Sequence, residues 1–354
     1  MKTAMMGNKF DIATLVRSSV KDLKPYSSAR DEYVSNGADM IFLDANENPY
    51  ENGVNRYPDP QQRNLKAVLG GQKGLASQNI LLGNGSDEVL DLLFRGFCEP
   101  GLDNIITLPP TYGMYQVLSG INAIENREVL LTRNFEPDLS GIFQAIDGRT
   151  KLLFICSPNN PTGNRFSDEK IESLLLGFNG LVIIDEAYVD FSGHESWLTK
   201  LKQFPNLVVT QTLSKAFGMA GIRLGICYAS EEIIGILNKI KPPYNVNELT
   251  QQKALSRVSD RASVSSEVTR ILEERATLLN ALGAVDFVKK IYPTDANFVL
   301  VKVDNAEKRY QQLLDLNFVV RNRSSQPLCE NTLRFTVGTS EENRKLIATL
   351  NTMV

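Results

Sequence analysis

The feature that most constrains this chain is an alternation, from residue 41 to 240, of short apolar runs with helix-length segments. Apolar runs of strand length occur at 40–43, 79–82, 104–108, 127–131, 151–156, 180–185, 206–212 and 222–229. Segments with helical spacing of apolar residues lie between most of them, for example at 86–97, 112–120, 139–146 and 167–176. Apolar strands that alternate with helices are typical of a mainly parallel sheet covered on both faces, so we expect an α/β fold.

The pattern changes after residue 245. An amphipathic stretch with helical spacing covers 261–282. Short strands and helices then mix, with strands predicted at 297–303, 318–320 and 332–337 and helices at 306–316 and 341–352. We therefore predict three parts, which are an N-terminal arm (1–40), a large α/β domain (41–245) and a small α+β C-terminal domain (246–354).

Charge and composition argue against several classes of function. The 354 residues carry a net charge of −3, which gives no reason to expect nucleic acid or an anionic membrane as a partner. The N-terminus lacks the apolar core of a signal peptide and the apolar runs are too short to span a membrane, so we expect a cytoplasmic protein. With a single histidine, His194, and four widely spaced cysteines, we expect no metal site.

A glycine-containing turn follows the apolar run 79–82. The sequence LLGNGSDE ends a strand and starts a helix, with Ser86 as the predicted N-cap and Asp87 in the first turn. Free amides at a helix N-terminus bind anions, so Gly85, Ser86 and Asp87 could form a phosphate cradle. A helix that is merely well capped explains the same residues.

Polar residues also follow two further strands. Asn160, in CSPNNPTGN, comes after the run 151–156, and Asp185 ends the apolar run LVII. A carboxylate at the end of a buried strand is costly unless a donor or a positive charge pairs with it, and Tyr188 could reach the same place. A simple turn explains the asparagine, and a helix cap or a buried salt bridge explains Asp185 equally well.

The stretch TLSKAFGMAGIRLG follows the strand 206–212. Lys215 has Ser, Ala, Phe and Gly as neighbours where a solvated lysine usually has polar ones. A desolvated lysine has a lowered pKa, and its neutral amine is a nucleophile toward aldehydes. Ser214 and Arg223 could hold a phosphate beside it. Taken singly, a lysine after a strand is more often a solvated residue.

Considered together, these groups indicate a single site. Each lies just beyond a predicted parallel strand, so we expect all of them at one edge of the sheet. They comprise a nucleophilic amine, a carboxylate, an amide, a tyrosine and phosphate contacts. That set is what an aldehyde cofactor with a phosphate and a protonated ring nitrogen requires.

The same motifs resemble a known family. SPNNPTG, DEAYVDF, TLSKAFGMAGIRLG and LRFTVGT are similar to those of the fold-type I pyridoxal-phosphate aminotransferases. The stretches LKPYSSAR, LDANENPY, NRYPDPQ, LLGNGSDE and PPTYGMY are most similar to the branch that acts on L-histidinol phosphate. The resemblance covers nearly the whole chain. It implies the fold-type I architecture, with a mainly parallel seven-stranded sheet between helices, and pyridoxal 5′-phosphate as cofactor.

The resemblance also implies which residues bind the cofactor. Lys215 would bond covalently to its aldehyde and later shuttle a proton between the substrate Cα and the cofactor. Asp185 would pair with the ring nitrogen and keep it protonated. Asn160 and Tyr188 would hydrogen-bond the ring's 3-oxygen, and Tyr112 would stack on the ring. The residues that would hold the phosphate are Gly85, Ser86, Asp87, Ser214 and Arg223.

The substrate end is implied in the same way. Arg334 would bind the anionic group of the substrate, with Arg321, Tyr26 and Asn46 beside it. Arg323 is an alternative to Arg321, which we favour because it comes directly after the predicted strand 318–320.

Two further positions concern the neighbouring subunit and a departure from the family pattern. Tyr57 would reach the cofactor phosphate of the neighbouring subunit, so the resemblance implies a homodimer. Gln211 stands where the family often has arginine. We expect little effect from this difference, because Gln211 lies upstream of the phosphate-binding residues.

The activity that the resemblance implies is reversible transamination of L-histidinol phosphate with 2-oxoglutarate. Its products would be imidazole-acetol phosphate and L-glutamate, in histidine biosynthesis. An aromatic or aspartate aminotransferase, or a threonine-phosphate decarboxylase, would share the cofactor residues and differ at the substrate end. A non-catalytic binding protein with this fold would be expected to lack Lys215 or Asp185, and both are present.

Overall fold

A seven-stranded sheet is the central layer of the computed structural model, which describes residues 10–26 and 41–353. The strand order is β1-β7-β6-β5-β4-β2-β3. The strands are β1 (Ile80–Asn84), β2 (Asn104–Thr107), β3 (Glu125–Glu128), β4 (Thr150–Cys156), β5 (Leu181–Asp185), β6 (Leu207–Thr212) and β7 (Leu224–Tyr228). β7 is antiparallel to both of its neighbours, and the other pairs are parallel. The expected mainly parallel α/β sheet is confirmed.

Helices cover both faces of this sheet. They are α1 (Ser18–Lys21), α2 (Arg63–Lys73), α3 (Gly85–Phe97), α4 (Met114–Ile121), α5 (Leu139–Ala145), α6 (Asp168–Gly177), α7 (Glu231–Ile240) and α8 (Glu248–Ser259). On β4, Leu153 and Ile155 belong to one core, while Leu152 and Phe154 belong to the other. Successive strand side chains point to opposite faces, and each buried one contributes about 1.5–3 kcal/mol, which explains the continuous apolar runs.

The direction of the strands places the ends that carry the predicted site residues at one edge of the sheet. β1, β4, β5 and β6 all run the same way, so their carboxyl ends lie together. Because β7 runs in the opposite direction, its first residues lie at that same edge. Arg223, directly before β7, therefore comes close to the residues that follow the other strands.

A second sheet of four antiparallel strands forms the C-terminal part, in the order β10-β11-β9-β8. Its strands are β8 (Val288–Ile291), β9 (Phe298–Val303), β10 (Arg321–Asn322) and β11 (Thr332–Thr336). The helices α9 (Arg261–Leu282), α10 (Ala306–Asp315) and α11 (Ser340–Leu350) pack on it around a separate apolar core. Thr339 and Glu342 begin α11 with a capping box.

Two strands predicted from the sequence are absent. Residues 41–43 form no strand, and the side chains of Ile41 and Leu43 are 85 % and 87 % exposed. Residues 318–320 precede β10 and are not part of it. A third strand is displaced, because β3 begins two residues before the predicted run 127–131. An apolar run predicts burial, but the side chains of Ile41 and Leu43 remain exposed among the described residues.

The domain boundaries stay predictions. Ala254 and Val258 of α8 pack into a core of the seven-stranded sheet, although α8 follows the predicted boundary at 245/246. Of the predicted N-terminal arm, residues 1–9 and 27–40 lie outside the described residues. Its described part holds a short 3₁₀ helix (Ile12–Thr14) and α1.

None of the described helices has the length and apolar character needed to cross a bilayer. In the same residues, no three His, Cys, Asp or Glu side chains come together as metal ligands.

Candidate active site

A cavity of about 500 Å³ opens where the carboxyl ends of β4, β5 and β6 meet. Most of the predicted site residues line it, namely Ser86, Asp87, Tyr112, Asn160, Asp185, Tyr188, Ser214, Lys215, Arg223, Arg321 and Arg334. Gly85 lies directly behind the wall, where its N–H donates to the Arg223 carbonyl at 2.9 Å. The structure thus brings these side chains around one space, as expected for a site at the edge of an α/β sheet.

The start of α3 forms one end of the cavity. The helix begins at Gly85 with Asn84 as its N-cap, so the prediction of Ser86 as the N-cap is wrong. A Cβ on Gly225 of β7 would lie 2.3 Å from the Gly85 carbonyl carbon and the Ser86 nitrogen, so the two backbones pack directly together. Gly85 itself has a φ of +75°. Amides in the first turn have no partner within the helix, so those of Ser86 and Asp87 remain for an anion.

Asp185 ends β5 and is 3 % exposed. The Tyr115 hydroxyl donates to its Oδ2 at 2.8 Å, and the Ala187 N–H donates to its Oδ1 at 3.2 Å. Burial raises the pKa of Asp185, whereas these donors oppose that rise by stabilising the ionised carboxylate. The Asp185 carboxylate therefore has hydrogen-bond donors from the protein at both oxygens, and it also lines the cavity.

Lys215 follows β6, and its side chain is open to the cavity. Its Nζ lies 5.6 Å from the centre of the Tyr188 ring. Partial desolvation lowers its pKa, the charges of Arg334 and Arg223 lower it further, and Asp185 opposes them. A lowered lysine pKa means a larger fraction of neutral amine at a given pH, which is the nucleophilic and proton-accepting form.

Side-chain contacts of Asp87 link α3 to Tyr112, before α4, and to Arg223, before β7. The Tyr112 hydroxyl donates to Asp87 Oδ1 at 3.0 Å, and Asp87 Oδ2 lies 3.6 Å from Arg223 Nη2. On the other side of the same space, the Thr212 hydroxyl donates to Ser214 Oγ at 3.0 Å. The predicted phosphate-binding residues thus converge from three different elements.

The C-terminal part supplies the opposite wall. Arg334 Nη1 donates to Asn160 Oδ1, and the guanidinium carbon lies 4.9 Å from the centre of the Phe298 ring. Burial and the nearby Arg323 lower the pKa of Arg334 to about 10, so it remains a cation at neutral pH. Because the Oδ1 of Asn160 accepts from Arg334, its amide Nδ2 is left as a donor.

Arg321 and Arg323 stand on the same wall. Arg321 pairs with Arg334 across β10 and β11, and Arg323 continues the ladder through its N–H to Thr332 O at 2.9 Å. Residues two apart share a face, and all three arginines line the cavity. Within residues 10–26 and 41–353, no carboxylate lies within 4.0 Å of their guanidinium nitrogens. The Nε atoms of Arg323 and Arg334 are buried without a hydrogen-bond partner in the described chain.

Three predicted site residues lie away from this cavity. Asn46 and Tyr57 line a second cavity of about 520 Å³, in which Tyr57 stacks on Tyr244 with ring centres 4.5 Å apart. Tyr57 is 51 % exposed and Tyr26 is 71 % exposed. Within one chain, therefore, Tyr26, Asn46 and Tyr57 are not brought to Lys215.

Sequence reasoning missed Tyr115 altogether. It is fully buried and stacks on Phe154 with ring centres 4.9 Å apart, so it looks like a core residue. The motif PPTYGMY contains two tyrosines, and only the first was singled out. Its hydroxyl, which needs a partner when buried, was the available signal.

The position of Gln211 is now explained. Its side-chain amide donates to Glu186 Oε2 at 2.9 Å, whereas the next residue, Thr212, lines the cavity. Alternation along β6 thus directs Gln211 away from the predicted phosphate contacts. Glu186 is itself buried and also accepts from the Trp197 N–H at 2.7 Å.

The sequence and fold are similar to those of known aminotransferases. The family model "Aminotransferase class I and II" matches residues 42–350. Two curated relatives called histidinol-phosphate aminotransferase are each 64 % identical: that of Flavobacterium johnsoniae over 97 % of this chain and 99 % of its own, and that of Christiangramia forsetii over 96 % and 97 %.

Among solved structures, the histidinol-phosphate aminotransferase of Clostridium acetobutylicum superposes with a TM-score of 0.78 at 26 % identity, covering 84 % of this chain and 90 % of its own. The Sinorhizobium meliloti enzyme in complex with pyridoxal-5′-phosphate gives 0.75 at 21 % identity, covering 84 % and 82 %, and shows the shared fold.

The protein is therefore a member of the class I and II aminotransferases, the fold-type I pyridoxal-phosphate enzymes expected from its motifs. Within that class, its near full-length similarity to the curated relatives places it in the histidinol-phosphate aminotransferase family.

Proposed function

We propose that this protein transfers the amino group between L-histidinol phosphate and 2-oxoglutarate, forming imidazole-acetol phosphate and L-glutamate, with pyridoxal 5′-phosphate as cofactor. The observation that carries the proposal is the wall formed by Arg321, Arg323 and Arg334, three cations without a carboxylate partner among the described residues, in the same cavity as Lys215. The curated relatives support the same substrate through their names.

The charge of the cavity suits two anionic groups. Its basic side chains are Lys215, Arg223, Arg321, Arg323 and Arg334, and its acidic ones are Asp87 and Asp185. Positive groups in a partly desolvated space attract anions strongly because the local dielectric is low. One phosphate would sit at the start of α3, and the arginine wall would take a second phosphate or the carboxylates of 2-oxoglutarate and glutamate.

The residues present fit pyridoxal phosphate. Gly225 packs directly against the backbone of Gly85 and Ser86 at the start of α3, where Ser86, Ser214 and Arg223 line the cavity and would hold the phosphate. Lys215 supplies an amine and Asp185 a buried carboxylate in the same cavity. When bound, this cofactor acts as an electron sink that stabilises a carbanion at the substrate α-carbon.

The side chains of this protein would then divide the remaining work. Lys215 would take the proton from the substrate α-carbon as a neutral amine and return it during turnover. Asp185 would hold a positive charge on the ring nitrogen, and Tyr112 would cover the ring. Asn160 Nδ2 and the Tyr188 hydroxyl would donate to the ring's 3-oxygen, so that Arg334, bound to Asn160 Oδ1, connects the substrate and cofactor sides.

A substrate panel tests this proposal. We expect amino transfer from L-histidinol phosphate to 2-oxoglutarate with kcat/KM roughly 10- to 150-fold higher than from phenylalanine or aspartate, because a charged phosphate contact contributes about 1.5–3 kcal/mol. A coupled glutamate assay measures the transfer, and CO₂ release from threonine phosphate tests for decarboxylation. A preference for phenylalanine or aspartate, or decarboxylation without transfer, would contradict the proposal.

The arginine wall gives a second prediction. Arg323 is half-buried and Arg321 is exposed, so Arg323→Gln should raise KM for histidinol phosphate by roughly 10- to 100-fold and Arg321→Gln by less, because solvent screens Arg321 more. Comparing histidinol with histidinol phosphate isolates the phosphate contact, and the exposed Arg133→Gln serves as a charge-matched control. Equal losses for both substrates would show that neither arginine binds the phosphate.

We also propose that the active unit is a homodimer in which Tyr57, and the nearby Asn46, complete the site of the partner. Support comes from the fact that Tyr57 and Asn46 line a cavity other than that of Lys215, and from exposed apolar side chains along 41–57, among them Ile41, Leu43, Tyr50 and Val54. Tyr26 would join the substrate end with them. A cytoplasmic location remains a prediction from the sequence of the N-terminus.

A further inference from the structure

Tyr115 occupies an unusual position for a residue with no contact to the cavity. It lies in the first turn of α4 and is 0 % exposed, and it is not among the cavity-lining residues. Yet its hydroxyl is 2.8 Å from Asp185 Oδ2, on the side of the carboxylate that faces the core. Its hydroxyl is therefore linked to the site through Asp185, while the edge of its ring also meets Tyr112, which lines the cavity.

A column of aromatic rings fixes the Tyr115 side chain. Phe94 of α3 stacks on Phe154 of β4 with ring centres 5.2 Å apart, and Phe154 stacks on Tyr115 at 4.9 Å. Tyr112 meets the edge of Tyr115 at 5.6 Å. Rings packed in this way hold one rotamer, so the hydroxyl is directed at Asp185 by the core and not by the ligand.

The direction of this hydrogen bond follows from the chemistry of both groups. Burial and the neighbouring Asp185 raise the pKa of Tyr115 well above its usual value, so the phenol keeps its proton and donates. Asp185 accepts, and the Ala187 N–H is its second donor. A buried carboxylate that receives donors is stabilised in its ionised form, against the cost of desolvation.

We propose that Tyr115 is a positioning residue that keeps Asp185 ionised and oriented toward the ring nitrogen of the cofactor. The inference rests on the proposed role of Asp185. Through Tyr115, packing in the apolar core of the large sheet would determine the orientation of Asp185 in the cofactor site, although the Tyr115 side chain does not line the cavity.

Other groups near Asp185 define what must be held constant in a test. Cys156 at the end of β4 and Thr210, the cross-strand neighbour on β6, face it from the sheet. The titratable or charged groups around it on the remaining elements are Asp87, Tyr112, Tyr188 and Lys215.

The test compares Tyr115→Phe with Tyr228→Phe and Asp185→Asn. Tyr228 is equally buried, and its hydroxyl has no hydrogen-bond partner in the described chain, so Tyr228→Phe is a matched loss of one oxygen. The readouts are the dissociation constant of pyridoxal phosphate for the apoprotein, from its fluorescence or absorbance, and the pH dependence of the bound cofactor's absorbance. We expect Tyr115→Phe to weaken cofactor binding roughly 10- to 100-fold and to shift that pH profile, because the carboxylate loses a charge-assisted hydrogen bond. Tyr228→Phe should do neither.

The double variant Tyr115→Phe/Asp185→Asn distinguishes a failure of the inference about Tyr115 from a failure of the proposed role of Asp185. If Tyr115 acts through the charge of Asp185, Tyr115→Phe should add little to the loss already caused by Asp185→Asn. If Asp185→Asn weakens binding and Tyr115→Phe behaves like Tyr228→Phe, the inference is wrong and the role of Asp185 stands. If Asp185→Asn changes nothing, the proposed role of Asp185 fails.

A further variant is available if Tyr115→Phe does not fold. Phe154→Leu keeps the Tyr115 hydroxyl but removes the ring that stacks on Tyr115, so it should also weaken cofactor binding. Normal cofactor binding by Phe154→Leu would overturn the inference.

Discussion

Replacing Lys215 by alanine should lower transamination by at least about a thousandfold, because one change removes both the amine that holds the cofactor and the base that moves the α-proton. The rate of histidinol-phosphate-dependent glutamate formation measures the loss. Because the pKa of Lys215 is lowered, the wild-type rate should already rise with pH below the range in which an ordinary lysine loses its proton. The variant should lose this dependence.

Lys202→Ala is the appropriate control for that experiment. Lys202 is an exposed lysine that does not line the cavity, so its removal should leave turnover within about twofold of the wild type. Turnover by Lys215→Ala at a rate close to that of Lys202→Ala would remove Lys215 from the mechanism.

Mixed dimers should recover activity that each parent lacks. Tyr57→Phe keeps the ring that stacks on Tyr244 but loses the hydroxyl, so we expect about 10- to 100-fold weaker cofactor binding. In a dimer of one Lys215→Ala chain and one Tyr57→Phe chain, one site would combine Lys215 with an intact Tyr57 from the partner. At a cofactor concentration that saturates only the wild type, the mixed dimer should show about half of the wild-type activity.

Differently tagged chains, co-expressed and purified through both tags, supply this mixed dimer. The two parent dimers are the controls. If Tyr57 instead serves the site of its own chain, the mixed dimer would show no more than half of the low activity of the Tyr57→Phe parent. A protein that runs as a monomer in light scattering would likewise rule out a shared site.

Much of the fold could be predicted from the sequence because its central strands are buried on both faces. The runs that became β4, β5 and β6 are apolar for that reason, and their lengths separate them from helices. The run at 41–43 is equally apolar but exposed in the single chain, so composition alone predicted a strand where none forms. Apolar character indicates that a segment will be covered, but not by what.

The site was predictable where a residue follows a strand and hidden where an arrangement depends on strand direction or packing. Asp185 ends β5 and Lys215 follows the parallel strand β6, and both line one cavity as the sheet predicts. Arg223 was predicted as a phosphate contact, but the reason that it reaches the same edge, the antiparallel direction of β7, is not visible in the sequence. Tyr115 was hidden by its burial, since only coordinates distinguish a tyrosine that packs from one that also donates to Asp185.

The central claim, that the strand ends converge on one cofactor held by Lys215, is tested most directly by reductive trapping. The protein is loaded with pyridoxal phosphate, reduced with borohydride and digested, and the modified peptide is identified by mass spectrometry. We expect one modification per chain, on Lys215, with loss of the visible absorbance band after reduction. Modification of another lysine, or no modification of a fully loaded and folded protein, would contradict the account.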